Sequence, residues 1–220
     1  MEYLIHRTVT PPSLNGEWDS PIWSQANTGE LTFFVPRSSA HHPRVQFRLL
    51  YNDAGLYLIF RVEDRYVRSV VTKFNGHVCR DSCTEFFVQP NGSGPYFNFE
   101  VNCGGHMLCY YIDPNRPTKD FFEHAKLTPE DGAAVGIYHS MPAIVDPEIT
   151  EPTVWFNQLH IPFSLLEKYT GPLGSPAGQV WRANLYKCAD ATSHPHWATW
   201  APIEGASFHQ VPYFAPLRFE

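Results

Sequence analysis

The sequence predicts an all-β protein, a two-sheet antiparallel β-sandwich of the jelly-roll type with one short helix and long loops. Apolar and polar residues alternate along several short segments, which is the pattern of strands that bury one face. The 20 prolines and 14 glycines are spread along the chain, as expected for turns that join many short strands. Because no repeat and no interdomain linker is evident, we expect residues 1–220 to form a single domain.

The alternation is clearest in the first half of the chain. Residues 44–51 and 56–64 alternate on either side of the turn sequence Asn52-Asp53-Ala54-Gly55, which predicts a β-hairpin. One helix is predicted at residues 162–169, and residues 114–131 are expected to form a long polar loop in which a turn of helix would fit. Further strands are predicted at residues 82–89, 95–103, 107–113, 153–161, 179–188 and 216–220.

The composition argues against two classes of partner. Only 17% of the residues are charged and the net charge is −6, so the chain lacks the basic surface that a nucleic acid requires. No apolar run reaches the roughly 18 residues of a membrane-spanning helix. We therefore expect neither a nucleic-acid partner nor a membrane, while the oligomeric state is left open.

The cysteines and the N-terminus bear on the cellular compartment. The five cysteines, which include no C-x-x-C pair, are expected to be free and mostly buried thiols in a reducing compartment, with one disulfide or a metal site as the alternative. The first residues show no signal peptide. We therefore expect a cytoplasmic protein if Met1 is the native start, with secretion left open.

A cluster of aromatic and polar residues near the C-terminus is the main functional signal. A predicted strand over residues 181–188 leads into the loop 193–200, in which Pro195 restricts the backbone. Aromatic rings cover the apolar faces of a sugar, and polar side chains bond its hydroxyls. The pattern predicts a carbohydrate site, with a buried aromatic cluster as the alternative. The predicted contacts are Lys187, His194, His196, Trp197 and Trp200.

Five further segments occur in a characteristic order along the chain. They are residues 14–23 (LNGEWDSPIW), 49–58 (LLYNDAGLYL), 81–87 (DSCTEFF), 96–102 (YFNFEVN) and 161–166 (IPFSLL). In this combination they resemble the family 9 carbohydrate-binding modules, within the wider group of DOMON-like β-sandwiches. The resemblance implies a two-sheet sandwich that holds a terminal sugar unit between two aromatic rings. It also implies structural calcium ions and a role in carbohydrate catabolism beside glycoside hydrolases.

The resemblance also implies individual site residues. Glu85 corresponds to a strand carboxylate that contacts sugar hydroxyls, and Trp197 corresponds to one aromatic wall. The second wall is a Trp in the family, whereas this chain has His77-Val78-Cys79-Arg80 at that place. Phe74 or His77 would replace it, or Arg80 would lie flat beside the sugar. Asn102, on the non-core face of its predicted strand, completes the predicted carbohydrate contacts.

Two other functions are compatible with the same residues. A glycosidase needs two carboxylates roughly 5–10 Å apart, and Glu85 and Glu100 would face each other if their strands were neighbours. Solvated or ion-paired carboxylates are the simpler interpretation, so catalysis is the less favoured alternative. A protein-interaction module that docks a partner on the aromatic surface is the second alternative.

A metal site is not specified by the sequence. His41, His42, His194 and His196 lack a third ligand at a convincing spacing, so hydrogen bonding is expected of them. Calcium needs six to eight oxygen ligands, and the only modest carboxylate candidates are Asp53, Glu63 and Asp64. No cofactor is required by the residues, and calcium is expected from the resemblance alone.

Overall fold

Strands dominate the computed structural model, which describes residues 1–115 and 126–220. The strands are β1 (Tyr3–Arg7), β2 (Gly29–Leu31), β3 (Phe33–Phe34), β4 (Arg44–Tyr51), β5 (Gly55–Asp64), β6 (Val67–Ser69), β7 (Cys83–Gln89), β8 (Tyr96–Asn102), β9 (Met107–Ile112), β10 (Gly136–His139), β11 (Val145–Ile149), β12 (Thr153–Pro162), β13 (Val180–Cys188), β14 (Trp197–Thr199) and β15 (Ala215–Phe219). The helices are α1 (Pro129–Ala134) and α2 (Phe163–Thr170), and short 3-10 turns lie at Trp23–Gln25, Val78–Arg80, Pro90–Gly92 and Val211–Tyr213.

The strands form two packed layers that share one strand. The first sheet has the order β9-β8-β7-β13-β15-β1, and the second has the order β10-β12-β5-β4-β1. Strand β1 pairs with β15 through residues 3–5 and with β4 through residues 6–7, so it passes from one sheet to the other. Strands β6 and β11 form a small separate sheet. The predicted β-sandwich is confirmed.

One feature of the pairing differs from the prediction. Both pairings of β1 are parallel, whereas the sequence predicted an antiparallel sandwich. Hairpins make consecutive strands antiparallel, but β1 is separated from each of its partners by long stretches of chain, so no turn fixes its direction. The predicted hairpin is present, with β4 and β5 paired antiparallel from Arg44↔Glu63 to Tyr51↔Leu56.

Apolar side chains fill the space between the two sheets. Phe86 and Phe99 from the first sheet meet Phe60 and Trp155 from the second in one buried cluster. Smaller clusters lie on the outer faces, one around Phe87 and Tyr186 on the first sheet and one around Trp18 and Trp23 on the second. Both faces of the first sheet are therefore buried at its centre.

Within residues 1–115 and 126–220 the structure has two helices, where the sequence predicted one. The predicted helix is α2, which ends at Gly171 with a φ of 76°, in the left-handed region that glycine tolerates. Helix α1 begins with a capping box between Thr128 and Asp131, within the segment predicted as a long loop. Residues 116–125 of that predicted loop lie outside the described residues. Lys168 Nζ lies 2.7 Å from Asp131 Oδ1 and so joins α2 to α1.

Candidate functional site

Two buried carboxyl groups lie side by side on the outer face of the first sheet. Strands β7 and β8 are neighbours, and Glu85 pairs directly with Glu100, as the sequence hypothesis required. Directly opposite residues place their Cβ atoms about 4.5–5.5 Å apart. Both glutamates are nearly inaccessible to solvent.

Burial and proximity hold this pair partly protonated. Burial, together with the charge of Glu100, raises the pKa of Glu85 well above its ordinary value. Burial likewise raises the pKa of Glu100, to about 7. Two like charges at this separation resist joint ionisation. Near neutral pH the pair therefore offers a proton donor beside proton acceptors.

The two carboxyl groups are held in place by neutral donors. Cys188 Sγ donates to Glu85 Oε1 at 2.9 Å, and Asn98 Nδ2 donates to Glu100 Oε1 at 2.8 Å. The amide of Asn98 is fixed in turn, because its Oδ1 accepts a hydrogen bond from the backbone N–H of Tyr110 at 2.8 Å.

Trp197 forms an aromatic wall beside the carboxyl pair. It begins β14 and is half-buried. Its indole N–H donates to Asp190 Oδ1 at 2.7 Å, and the guanidinium carbon of Arg37 lies 4.0 Å from the ring centroid. These two contacts fix the plane of the ring at the rim of the site.

A cleft runs between this wall and the segment 206–209. A cavity of about 200 Å³ is lined by Trp197, Glu85, Glu100, Phe208 and His209, among others. A neighbouring cavity of about 380 Å³ is lined by His77, Tyr110, Glu100 and His209, among others. Because the two cavities share Cys79, Glu100 and His209, they are two halves of one cleft.

Phe208 and His209 line the same cavity as Trp197, and the sequence analysis predicted neither of them as a site residue. Phe208 stacks on Tyr186 with centroids 4.1 Å apart, and His209 Nδ1 lies 2.7 Å from the Tyr96 hydroxyl. Burial lowers the pKa of His209 to about 4, so the imidazole is neutral. The only signal in the sequence was the short run Ser207-Phe208-His209 within a glycine- and proline-containing loop.

Of the residues proposed for the second wall, only His77 lies in the cleft. His77 lines the larger half. Phe74 packs against the inter-sheet core, where its ring contacts Gly132. Arg80 is exposed and lines neither of these two cavities, so its contact with the sugar stays a prediction.

Lys187 and His196 were predicted to contact sugar, and the structure places both elsewhere. Successive side chains of a strand point to opposite faces, so Lys187 points between the sheets while Cys188 points to the cleft. Lys187 Nζ lies 3.3 Å from Asp64 Oδ2 and 2.8 Å from His196 Nε2. Burial and the charge of Lys187 lower the pKa of His196 to about 3. Both residues are fully buried.

Trp200 and Asn102 are also buried away from the cleft. Trp200 packs edge-on against Tyr3 and Phe47 in the core. Asn102 Nδ2 donates to the carbonyl of Val71 at 2.9 Å and to Asp81 Oδ2 at 3.0 Å. The predictions that these two side chains contact sugar are therefore corrected.

His194 belongs to a separate aromatic pair. Its ring stacks on Tyr66 with centroids 3.6 Å apart, and Nδ1 lies 2.9 Å from Ser193 Oγ. It lines neither half of the cleft. Of the predicted carbohydrate contacts, the structure brings together Trp197 and Glu85, with Glu100 beside them.

The carboxylates considered for calcium are each paired with cationic groups. Asp53 bonds Arg7 at 2.7 Å, Glu63 bonds Arg44 and Arg61, and Asp64 bonds Lys187 and His41. Because they are dispersed among these ion pairs, the three do not form the oxygen cluster that calcium requires. Calcium dependence stays a prediction that a binding titration can test.

Comparison with known proteins assigns the fold and the family. A model of carbohydrate-binding family 9 matches residues 26–219. The chain belongs to this family. Among curated proteins, none matches the sequence significantly.

Solved structures give the same result for the fold. A candidate carbohydrate-binding protein from Bacteroides uniformis is 27% identical, with a TM-score of 0.84 over 100% of this chain and 99% of that chain. A family 9 module from Caldicellulosiruptor kristjanssonii in complex with cellotriose is 12% identical, with a TM-score of 0.63 over 100% and 94%. A family 9 module from the same organism in complex with glucose is 11% identical, with a TM-score of 0.59 over 99% and 95%.

The helices of the described residues were also compared with the length of a membrane span. None of them is both long enough and apolar enough to cross a bilayer.

Proposed function

We propose that this protein binds the terminal unit of a mono- or oligosaccharide in the cleft between Trp197 and the segment 206–209. The observation that carries the proposal is the position of Trp197, a half-buried ring that lines the same cavity as the buried carboxyl pair of Glu85 and Glu100. An aromatic face and convergent polar groups in one concave site are what sugar recognition needs. Membership of a carbohydrate-binding family supports the same ligand class.

The size of the cleft supports recognition of a single unit. The half that contains Trp197 and Glu85 measures about 200 Å³, which is small beside the roughly 300–1,000 Å³ of ordinary ligand pockets. The second half could accept a following unit past His77 and Tyr110. A chain end therefore fits this geometry better than an internal segment.

The carboxyl pair sets which hydroxyls are accepted. A sugar hydroxyl both donates and accepts hydrogen bonds. When Glu85 and Glu100 share one proton, the protonated carboxyl can donate to the hydroxyl and the ionised carboxylate can accept from it. Ring contact and several charge-assisted hydrogen bonds would give roughly −5 to −8 kcal/mol, a micromolar to sub-millimolar dissociation constant.

Calorimetric titration with a panel of mono- and oligosaccharides, with and without calcium, tests the proposal. Saturable binding is expected for some sugars, and Trp197→Ala should weaken it by at least roughly 30-fold in a folded protein. Phe33→Ala, which removes an exposed aromatic residue outside both cavities, is the matched control and should bind normally. Normal affinity in Trp197→Ala would show that the ring is structural only.

Glycoside hydrolysis is the second candidate function, because raised carboxyl pKa values are typical of catalytic acids. Against it, Glu85 and Glu100 lie on one sheet surface, so they approach a ligand from one side. A glycosidase places its two carboxyl groups on either side of the scissile bond. Release of reducing ends from a bound oligosaccharide, lost in Glu85→Gln and Glu100→Gln, would establish catalysis. Binding without release would leave the protein a binding module.

A further inference from the structure

We propose that Cys83, Cys188 and Glu85 bind a thiophilic divalent cation of the zinc class at the base of the cleft. This inference concerns a metal site and goes beyond the proposed sugar binding. It rests on the positions of the three side chains and on their donor atoms.

The strand register brings the three donors together. Cys83 of β7 pairs directly with Cys188 of β13, and Glu85 follows Cys83 by two residues, so it lies on the same face. Within the described ranges 1–115 and 126–220, this is the one set of three His, Cys, Asp or Glu donors whose ligand atoms all lie within 4.8 Å of one another. Their backbones belong to two hydrogen-bonded strands at the centre of a sheet, so the arrangement is rigid.

The donor set matches the chemistry of zinc. Two thiolates and a carboxylate are common zinc ligands, and bond lengths of about 2.3 Å to sulfur and 2.0–2.2 Å to oxygen place ligand atoms roughly 3–4 Å apart. The observed spacing, with Cys188 Sγ already 2.9 Å from Glu85 Oε1, needs only small side-chain adjustments. Sulfur ligands disfavour calcium and magnesium, which take oxygen.

The cleft supplies an entry path and a fourth coordination position. Glu85 and Cys188 line the smaller cavity, and so does Cys79, whose side chain is half-buried. A tetrahedral ion held by the three donors would therefore face the cavity, where the Cys79 thiol or a water molecule can complete its coordination. Binding releases the thiol and carboxyl protons to the solvent.

The remaining cysteines provide an internal contrast. Cys103 and Cys109 are equally buried, but they lie in the apolar cluster between the sheets. Neither belongs to the set of clustered donors. They are matched controls for the loss of a buried thiol without the loss of a ligand.

Cobalt titration of the reduced protein under anaerobic conditions tests the site. The expected result is a sulfur-to-cobalt charge-transfer band that saturates at one ion per chain and is displaced by zinc. Cys83→Ser and Cys188→Ser should each weaken binding by at least about 100-fold, more than the loss of an outer-shell partner costs. Glu85→Gln should weaken binding and leave the sulfur band visible, while Cys103→Ser and Cys109→Ser should bind like the unmodified protein.

Two results would overturn the proposal. One is the absence of a charge-transfer band in the folded, reduced, unmodified protein, which does not depend on whether any variant folds. The other is an equal loss of cobalt binding in Cys103→Ser or Cys109→Ser, with far-ultraviolet circular dichroism confirming the fold. Sugar titration of the metal-free protein is a separate measurement, so failure of the metal site leaves the proposed function standing.

Discussion

Two clusters of buried ionisable groups lie on opposite faces of β13, and they differ in how their charges are compensated. On the inner face, Lys187 lies 3.3 Å from Asp64, and His41 lies 2.7 Å from the same carboxylate. On the outer face, Glu85 and Glu100 are like-charged neighbours that accept hydrogen bonds from neutral groups, the thiol of Cys188 and the amide of Asn98.

The pKa values show what the difference means. Burial alone would raise the pKa of Asp64, but the charge of Lys187 and the hydrogen bond from His41 lower it below its ordinary range. The pKa values of Glu85 and Glu100 are raised instead. The inner cluster is therefore a completed ion-pair network, whereas the outer pair gains from a hydrogen-bonding ligand.

The largest effect is expected on the inner face. Lys187→Met leaves the Asp64 carboxylate buried with one cation fewer, and such a change costs about 3–5 kcal/mol of unfolding free energy. Denaturant unfolding measures it, with Lys73→Met at an exposed position as the control, expected within about 0.5 kcal/mol of the unmodified protein. An equally small effect of Lys187→Met would mean that the inner network does not stabilise the fold.

Trp197 begins β14 and Trp200 directly follows it, and replacement of each by alanine should have opposite effects on sugar binding and stability. Trp197→Ala is expected to weaken sugar binding by at least about 2 kcal/mol, roughly 30-fold, as loss of a central aromatic contact does. Its unfolding free energy should change by less than about 1 kcal/mol. Trp200→Ala should instead lose about 3–5 kcal/mol of stability, because the side chain fills the core. Calorimetric sugar titration and denaturant unfolding of both variants test this difference between binding and stability.

The carboxyl pair should make stability depend on pH. The pKa of Glu100 is about 7 in the folded protein and about 4.3 in the unfolded chain. The unfolding free energy that the protonated carboxyl contributes is therefore fully present below about pH 4.3 and is lost as the pH rises through about 7. Glu100→Gln removes this loss because the amide does not ionise. The unfolding free energy of the variant should therefore exceed that of the unmodified protein by about 1–2 kcal/mol near pH 8. Glu30→Gln, at the surface, is the control. If the unfolding free energies of Glu100→Gln and the unmodified protein changed with pH in parallel, this would contradict the raised pKa of Glu100.

The smallest effect is expected at the rim of the cleft. Arg37→Ala removes the guanidinium that lies 4.0 Å from the Trp197 ring centroid, an interaction of about 0.5–1 kcal/mol. Sugar affinity should fall about two- to fivefold, because the ring is less well fixed. An increase in affinity would instead indicate that Arg37 covers the face that the sugar uses.

The strands β4, β5, β7, β8, β9, β12, β13 and β15, the hairpin and the helix α2 were predictable because they depend on local patterns. The other strands of the described residues, most of them short, were not predicted. Alternation places Phe86 and Phe99 on the core side and Glu85 and Glu100 on the other, and the family segments indicated the sandwich. The pairing of β1 was not predictable, because its partners are distant in sequence. Phe208 and His209 lie in an irregular loop whose path no periodicity describes.

The sequence by itself determined the sandwich, the faces of its strands and the family-like aromatic and carboxylate residues Trp197 and Glu85. Only the tertiary structure decided which polar residues reach the cleft. Lys187 and Cys188 are adjacent in sequence, yet alternation sends one into the core and the other to the cleft. Whether a buried charged residue completes an ion pair or lines a site depends on what the opposing sheet places across from it. Asp64 lies 123 positions earlier in the chain. It pairs with the Lys187 ammonium group between the sheets, so that this group does not reach the cleft.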